Sequence, residues 1–301
     1  MSSILSRYLD PTILSQVADQ PIDPAGLVIG NLAGAHKSPL SGFAVEFSGH
    51  REYVPGDDPK HIDWRVYYNR EKFFVKQYEL ETNFVCHILL DISASMRYGS
   101  ARQQKLLHAA RLSATLAYSI VKQSDKVSLT TFDDRVRGFL PPSNSLSQVL
   151  RMTQHLDETE VVEKTDIEAS LTDAISRMGR REIVLLLSDF FCPLEPLESA
   201  LQRLRYQHHE VVLFHVLHHD ELAFTFDKLT RFVGLEVEDQ VLVHPDDLRR
   251  DYLEAFGRFR QELTEIAHRN RCEYVLVDTS RGLAEVLGDY LQQRSQIGRR
   301  I

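Results

Sequence analysis

Residues 84–95 read FVCHILLDISAS, an apolar run that ends in an acid and two serines. A continuous apolar run of this length predicts a β-strand buried on both faces, as in a parallel sheet. Further along the chain, apolar runs of strand length alternate with helical patterns. This alternation predicts an α/β fold, in which helices cover both faces of a Rossmann-like, doubly wound, mainly parallel sheet.

The individual elements follow from the spacing of apolar residues. We predict strands at 84–90, 127–132, 136–140, 183–187, 211–217 and 274–277. We predict helices at about 102–122, 145–156, 167–178, 196–207, 246–269 and 281–293, and a β-rich insertion at 219–244. After a short opening helix, the first 82 residues are rich in Gly, Pro, charged and aromatic residues. We therefore predict two parts: a smaller, β-rich N-terminal segment, residues 1–82, that packs on a domain of residues 83–301.

Composition limits the classes of partner. A net charge of -8 argues against nucleic acid, because phosphates are neutralised by concentrated Lys and Arg. Cys86, Cys192 and Cys272 lie far apart, which fits neither a disulfide framework nor a cysteine zinc site.

The first residues lack the features of a signal peptide, and no apolar run approaches the ~18 residues of a membrane span. We expect a cytoplasmic protein without direct membrane insertion.

Polar residues follow two of the predicted strands. Asp91, Ser93 and Ser95 end the first strand, Asp189 follows the strand at 183–187, and Thr165 lies in the loop before a predicted helix. Ligands of parallel sheets bind at the carboxyl ends of strands, and hydroxyl and carboxylate oxygens suit Mg²⁺. These residues therefore predict a metal site for Mg²⁺, with Mn²⁺ or Ca²⁺ as substitutes. The alternative is a polar turn in which a serine caps the following helix.

The order Asp-x-Ser-x-Ser, then Thr, then Asp resembles the metal-ion-dependent adhesion site (MIDAS) of von Willebrand factor A domains. The resemblance implies that Ser93, Ser95 and Thr165 contact the metal directly, while Asp91 and Asp189 act mainly through water. It also implies that a protein partner supplies a carboxylate as the last ligand.

The loops of this site depart from the family pattern. Glu163-Lys164 stands where glycines are common before the threonine, and Phe190-Phe191 follows the last acid in place of glycine. Ser170 or Asp166 could contribute where the loop differs. Asp133-Asp134 is a predicted turn at the same edge and could line the rim of the site.

The segment before the domain carries a second, more specific pattern. Residues 42–82 read GFAVEFSGHREYVPGDDPKHIDWRVYYNREKFFVKQYELET. This closely resembles the bacterial family called domain of unknown function 58, through Glu46, Phe47, Arg51, Tyr53, Gly56, Asp57, Ile62, Asp63, Trp64, Lys76 and Glu79. The resemblance covers nearly the whole chain and implies a partnership with MoxR-type AAA+ ATPases.

Two interpretations of this segment remain open. Its aromatic residues could pack on the A-like domain while Asp63 and Arg51 are paired internally. Alternatively, the segment forms a docking surface for a partner.

The sequence argues against an enzyme. A haloacid-dehalogenase-type phosphatase needs a second acid where Ser93 stands, and no Gly-x-Ser-x-Gly elbow surrounds either serine. Histidines at 208–209, 215 and 218–219 lack the spacing for shared zinc ligation. We predict a Mg²⁺-dependent protein-binding adaptor that acts with a MoxR-type ATPase in complex assembly, maturation or stress response. The alternatives are a divalent-metal hydrolase or phosphatase, and a structural domain without metal.

Overall fold

A computed structural model of the chain describes residues 2–17, 22, 33–37, 46–79, 81–159, 167–235 and 240–298. The chain divides into a smaller compact unit, residues 26–84, and a larger one, residues 1–25 with 85–301. The first helices therefore belong to the larger unit, whereas the sequence prediction placed residues 1–82 in one segment. That the smaller unit packs on the larger one stays a prediction.

The larger unit opens with two short helices where the sequence predicted one. They are α1 (Ser2–Tyr8) and α2 (Pro11–Val17). Pro11 disfavours helical geometry at the residue before it. The Oδ1 of Asp10 accepts a 3.0 Å hydrogen bond from the backbone N–H of Thr12, which caps the second helix. These two residues end one helix and begin the next.

The smaller unit is built mainly of short strands. In chain order it contains β1 (Ala33–Lys37), β2 (Glu46–Glu52), α3 (Trp64–Arg70), β3 (Phe74–Glu79) and β4 (Glu81–Thr82). β1 pairs with β4 and β2 pairs with β3, both antiparallel. This is the smaller β-rich segment that the sequence predicts.

Polar residues of the family pattern are paired within the smaller unit. The Oδ2 of Asp63 lies 2.9 Å from Nε2 of His50, and its Oδ1 caps α3 by accepting from the backbone N–H of Arg65 at 3.0 Å. Arg51 donates to Oδ1 of Asp57 at 2.8 Å. The expected internal pairing of Asp63 and Arg51 is therefore present.

The aromatic residues of the smaller unit contact one another. Tyr67 stacks on Phe73 with ring centroids 4.6 Å apart, and Trp64 lies edge-on to both rings. Trp64 is 54% exposed, so this cluster retains an open aromatic face. Whether it serves packing or docking stays a prediction.

The rest of the larger unit alternates strands with helices. In chain order its elements are β5 (Val85–Asp91), α4 (Lys105–Lys122), β6 (Lys126–Phe132), β7 (Val136–Ser143), α5 (Leu146–Glu158), α6 (Ile167–Ser176), β8 (Ile183–Ser188), α7 (Leu194–Tyr206), β9 (Glu210–Leu217), α8 (His219–Ala223), β10 (Thr230–Val233), β11 (Gln240–Val243), α9 (Pro245–Arg269), β12 (Glu273–Asp278) and α10 (Leu283–Gly298). No helix within the described ranges has both the length and the apolar character that crossing a bilayer requires.

Six of these strands form one sheet in the order β12-β9-β8-β5-β6-β7. The first five are parallel, and β7 pairs antiparallel with β6 at one edge. The sheet confirms the predicted α/β, Rossmann-like, mainly parallel fold. The insertion at 219–244 differs in part, because it begins with α8 before the hairpin of β10 and β11.

Both faces of the sheet are covered. On one face, Val184 and Leu186 of β8 join a buried apolar cluster with residues of α6, α7 and α9. On the other face, α4 contacts β5, β6 and β9. All six residues of β8 are buried, which explains its uninterrupted apolar sequence.

The edge strand β7 contains Pro141 and Pro142. The carbonyl of Pro141 accepts a 2.8 Å hydrogen bond from the side-chain amide of Gln148 on α5. Proline is tolerated in a sheet at edges, because it has no N–H for a ladder.

The strand order changes direction between β5 and β8. From β5 the chain adds β6 on one side, and β8 then takes the other side. In open parallel sheets such a switch leaves a crevice at the carboxyl ends of the strands. Here the switch in strand order lies between Asp91, which ends β5, and Asp189, which directly follows β8.

Because His108 on α4 is buried, we expect the stability of the fold to depend on pH. It is 5% exposed, and its Nε2 has no hydrogen-bond partner among the described residues. Burial lowers its pKa to about 4, and the charge of Arg111 adds to this. Below about pH 6.5 the unfolded chain then binds a proton that the folded chain does not, so stability falls as pH falls. By about pH 5 this effect should cost the wild type about 2 kcal/mol more than His108→Gln.

Urea denaturation at about pH 7.5 and about pH 5 measures this difference. His268→Gln, at an exposed position on α9, is the matched control and should follow the wild type. Equal pH dependence of the wild type and His108→Gln would contradict the prediction.

Candidate metal site

Asp91 is the last residue of β5 and is 1% exposed. Its Oδ1 accepts a 2.9 Å hydrogen bond from the backbone N–H of Ser93, and its Oδ2 accepts one of 2.6 Å from the hydroxyl of Ser188. That hydroxyl accepts in turn from the backbone N–H of Phe190 at 2.9 Å. Both carboxylate oxygens are thus fixed, and they join the turn after β5 to the turn after β8.

Ser93 and Ser95 bring two hydroxyls together beside this acid. Their Oγ atoms are 3.0 Å apart, with Ser93 fully buried and Ser95 partly exposed. Mg²⁺ binds oxygen at about 2.1 Å in octahedral geometry, which places adjacent ligands about 3 Å apart. The spacing of the two hydroxyls therefore fits neighbouring ligands of such an ion.

Asp189 provides the second carboxylate, directly after β8. It is 2% exposed, and its Oδ1 accepts from the backbone N–H of Phe191 at 3.2 Å. Phe190, where the family pattern has glycine, has a φ of 54°, in the left-handed region that glycine adopts at lower cost. Its ring is buried, edge-on to His215 at 5.6 Å, and this packing offsets the backbone cost. The turn therefore keeps a glycine-like conformation without glycine.

An ammonium group lies inside the same cluster. Lys105 begins α4 and is 0% exposed. Its Nζ lies 2.8 Å from Oδ2 of Asp189, 2.7 Å from Oε1 of Glu221 and 5.0 Å from the ring centre of Phe191. One of the two predicted metal-site acids therefore already has a cationic partner.

The electrostatics of the cluster favour a further cation. Burial raises the pKa of the Asp91 carboxyl, and the charge of Asp189 raises it further, against the hydrogen bonds that Asp91 accepts. Burial alone would lower the pKa of Lys105, but Asp189 and Glu221 outweigh it and raise that pKa. The ammonium of Lys105 lies against Asp189 and Glu221, so a divalent cation beside Asp91 would relieve the repulsion between the carboxylates of Asp91 and Asp189. The donor set fits Mg²⁺.

The structure describes only some of the other predicted residues. Thr165 and Asp166 lie outside the described residues. Ser170 donates its hydroxyl to the carbonyl of Asp133 at 3.1 Å. Both carboxylate oxygens of Asp133 accept from Nε of Arg137, at 2.7 and 2.8 Å. The roles suggested for these residues stay predictions.

The histidines that raised a zinc alternative have other partners. His215 shares a 2.7 Å hydrogen bond with the hydroxyl of Tyr274, and the side chain of His218 caps α8. Among the described residues, no three His, Cys, Asp or Glu side chains form a group that could hold a metal.

Three residues of the cluster were not predicted as site residues: Lys105, Ser188 and Glu221. One feature of the sequence could have identified Lys105: a positive charge in the first turn of a helix is unfavourable with the helix dipole, so such a residue needs a compensating acid. Ser188 stands beside a predicted site acid but looked like an ordinary strand end. Glu221 gave no local signal, since it meets Lys105 across 116 residues of chain.

Comparison with known proteins supplies a family. The model of the family described as protein of unknown function DUF58 matches residues 49–262. Uncharacterized protein Rv1480 of Mycobacterium tuberculosis and uncharacterized protein Mb1516 of Mycobacterium bovis are each 23% identical over 215 residues. The match covers 69% of this chain and 66% of each relative, so the chain spans slightly less than two thirds of their length.

Solved structures show weaker similarity. An aerotolerance-related membrane protein from Bacteroides fragilis has a TM-score of 0.49 at 17% identity, covering 73% of this chain and 100% of that one. BatB from Bacteroides thetaiotaomicron has a TM-score of 0.46 at 15% identity, covering 71% and 100%. The SpRpn10 VWA domain has a TM-score of 0.39 at 12% identity, covering 69% and 95%. With TM-scores below 0.5, none of these similarities bears on function.

Proposed function

The chain belongs to the family of proteins of unknown function DUF58, and on this premise we propose that it is a protein-binding adaptor whose binding depends on Mg²⁺. The observation that carries the proposal is the pair of hydroxyls of Ser93 and Ser95, 3.0 Å apart beside the buried acid Asp91. Neutral oxygens in contact with a divalent ion leave much of its charge available to an outside ligand.

The residues of the site have separate parts in this proposal. Ser93 and Ser95, with Thr165, would hold the ion directly, and Asp91 orients the turn that carries the serines. Asp189 adds a second negative charge at the edge of the sheet. The bound ion would supply a positive charge that attracts a carboxylate of a protein partner.

We propose a MoxR-type AAA+ ATPase as the partner, in assembly, maturation or stress pathways of the cytoplasm. Its support is the polar and aromatic pattern of residues 46–79, through which the sequence resembles a family associated with such ATPases. Cys86 and Cys272 are buried thiols outside any disulfide, which agrees with a reducing compartment. We propose no catalytic role, because Ser93 stands where a haloacid-dehalogenase-type phosphatase would need its second acid.

One observation favours a rival function, a structural domain that never binds metal. The ammonium of Lys105 already neutralises part of the acid cluster. The rival and the proposal differ in a measurable way, because only the proposal requires a divalent ion to bind beside Asp91.

Calorimetric titration with Mg²⁺ tests the metal site. We expect the wild type to bind Mg²⁺ and Asp91→Ala to lose the binding heat, since the turn that presents the serines loses its anchor and the site loses a charge. Asp278→Ala is the matched control. Asp278 ends the parallel strand β12, and its Oδ1 accepts from the backbone N–H of Ser280 at 2.8 Å, much as Asp91 accepts from Ser93. This control should bind Mg²⁺ as the wild type does.

Equal, negligible heats for the wild type and both variants would establish the rival instead. Circular dichroism of each variant separates a lost site from a lost fold. A purified MoxR-type ATPase from the same cell tests the partner. It should bind the wild type in Mg²⁺ and be released by EDTA. Binding that is unchanged by EDTA and by the Asp91→Ala substitution would contradict a metal-mediated contact.

A further inference from the structure

Lys105 is an unusual residue at its position in the fold. It stands in the first turn of an 18-residue helix, where the helix dipole repels a positive charge. It is also completely buried. A buried ammonium carries a large desolvation penalty, which only close and well-oriented acids can offset. The two carboxylates within 2.8 Å of its Nζ supply that compensation.

The second of these carboxylates is held in place by other contacts. The Oε2 of Glu221 accepts a 2.7 Å hydrogen bond from the backbone N–H of His218, as part of a capping box at the start of α8. The carbonyl of Glu221 accepts from the hydroxyl of Tyr252 at 3.0 Å. The ring of Phe191 lies 5.0 Å from the ammonium. Lys105 is therefore confined between two fixed acids.

We infer that Lys105 is a built-in counterion of the candidate metal site, which neutralises Asp189 and Glu221 when no metal is bound and thereby weakens the binding of a divalent cation. The inference rests on the proposed function. It follows from charge: Asp189 and Glu221 lie within 2.8 Å of one fixed ammonium, Asp91 is a further buried acid at the same edge of the sheet, and an incoming cation is attracted by the acids and repelled by the lysine.

This arrangement has a consequence for the proposed adaptor. Because Lys105 offsets one negative charge, the site alone attracts Mg²⁺ less than a cluster of the same acids without a lysine would. A carboxylate from a partner restores that negative charge. Metal and partner are therefore expected to bind together, each strengthening the binding of the other.

Mg²⁺ titration of Lys105→Gln tests the inference. The amide keeps hydrogen-bond donors toward both acids but carries no charge. We expect Lys105→Gln to bind Mg²⁺ at least about tenfold more tightly than the wild type. We also expect its melting temperature to fall in EDTA and to recover in Mg²⁺, whereas that of the wild type changes much less.

Two further variants control for charge and for folding. The double variant Lys105→Gln with Glu221→Gln removes one positive and one negative charge, so its affinity for Mg²⁺ should return to about the wild-type value. Glu221→Gln alone keeps the contact of Lys105 with Asp189 and should bind Mg²⁺ at least about tenfold more weakly than the wild type. This last variant remains informative if Lys105→Gln does not fold in EDTA.

The outcomes separate this inference from the proposed function. If the wild type binds Mg²⁺ and both single variants bind it with the wild-type affinity, Lys105 is not a counterion that sets the affinity for Mg²⁺. The adaptor proposal then still stands. If Lys105→Gln binds Mg²⁺ tightly and the wild type weakly, the inference is supported. If neither the wild type nor any variant binds Mg²⁺, the metal site itself is wrong and the inference is overturned with it.

Discussion

Arg294→Met is expected to destabilise the fold by about 3–5 kcal/mol. Arg294 on α10 is 3% exposed and reaches Glu210 at the start of β9, Glu273 at 3.2 Å and the hydroxyl of Tyr290 at 3.1 Å. Removing the guanidinium leaves two largely buried carboxylates without their cation. The measurement is the free energy of unfolding from urea denaturation at neutral pH.

Arg281→Met is the matched control for this prediction. Arg281 also contacts two acids, Glu285 at 2.5 Å and Asp289 at 2.6 Å, but its side chain is 38% exposed. Exposed pairs of this kind contribute about 0–1 kcal/mol, so the control should lose little stability. A similar small loss in both variants would show that the buried pairing at Arg294 does not hold α10 to the sheet.

Leu186→Ala is expected to cost about 2–5 kcal/mol of stability. Leu186 is completely buried in β8, which lies between β5 and β9 in the centre of the sheet. Its side chain belongs to the cluster beneath α6, α7 and α9, so truncation leaves a cavity in well-packed surroundings. The unfolding free energy again provides the measurement.

Leu146→Ala provides the comparison. Leu146 begins α5 and is 63% exposed, so its truncation should change stability by no more than about 0.5 kcal/mol. A loss below about 1 kcal/mol for Leu186→Ala would mean that the centre of the sheet can close around the missing side chain.

The fold was largely predictable from the sequence, and β5 and β8 explain why. Their apolar runs need burial on both faces, and this requirement alone points to a parallel sheet covered by helices. The ends of these two strands are also predictable, because the apolar runs stop at Asp91 and at Ser188-Asp189. The opening helices were less predictable, since the break depends on the local chemistry of Asp10 and Pro11.

The candidate site was predictable only in part. Asp91, Ser93, Ser95 and Asp189 are signalled by their place after buried strands, and the structure describes all four at the edge of the sheet. Lys105 was not predicted, because the spacing of apolar residues in α4 says nothing about which charged residue reaches an acid 84 residues away. Contacts between distant segments depend on how the whole sheet closes.

The two prolines of β7 have a consequence for the behaviour of the protein at high concentration. Neither Pro141 nor Pro142 has a backbone N–H group, so this stretch of the edge strand has no donor to offer another strand. A strand of another molecule cannot complete a hydrogen-bonded ladder along that edge. The sheet thus ends at β7, and this edge resists the strand-to-strand aggregation to which exposed sheet edges are prone.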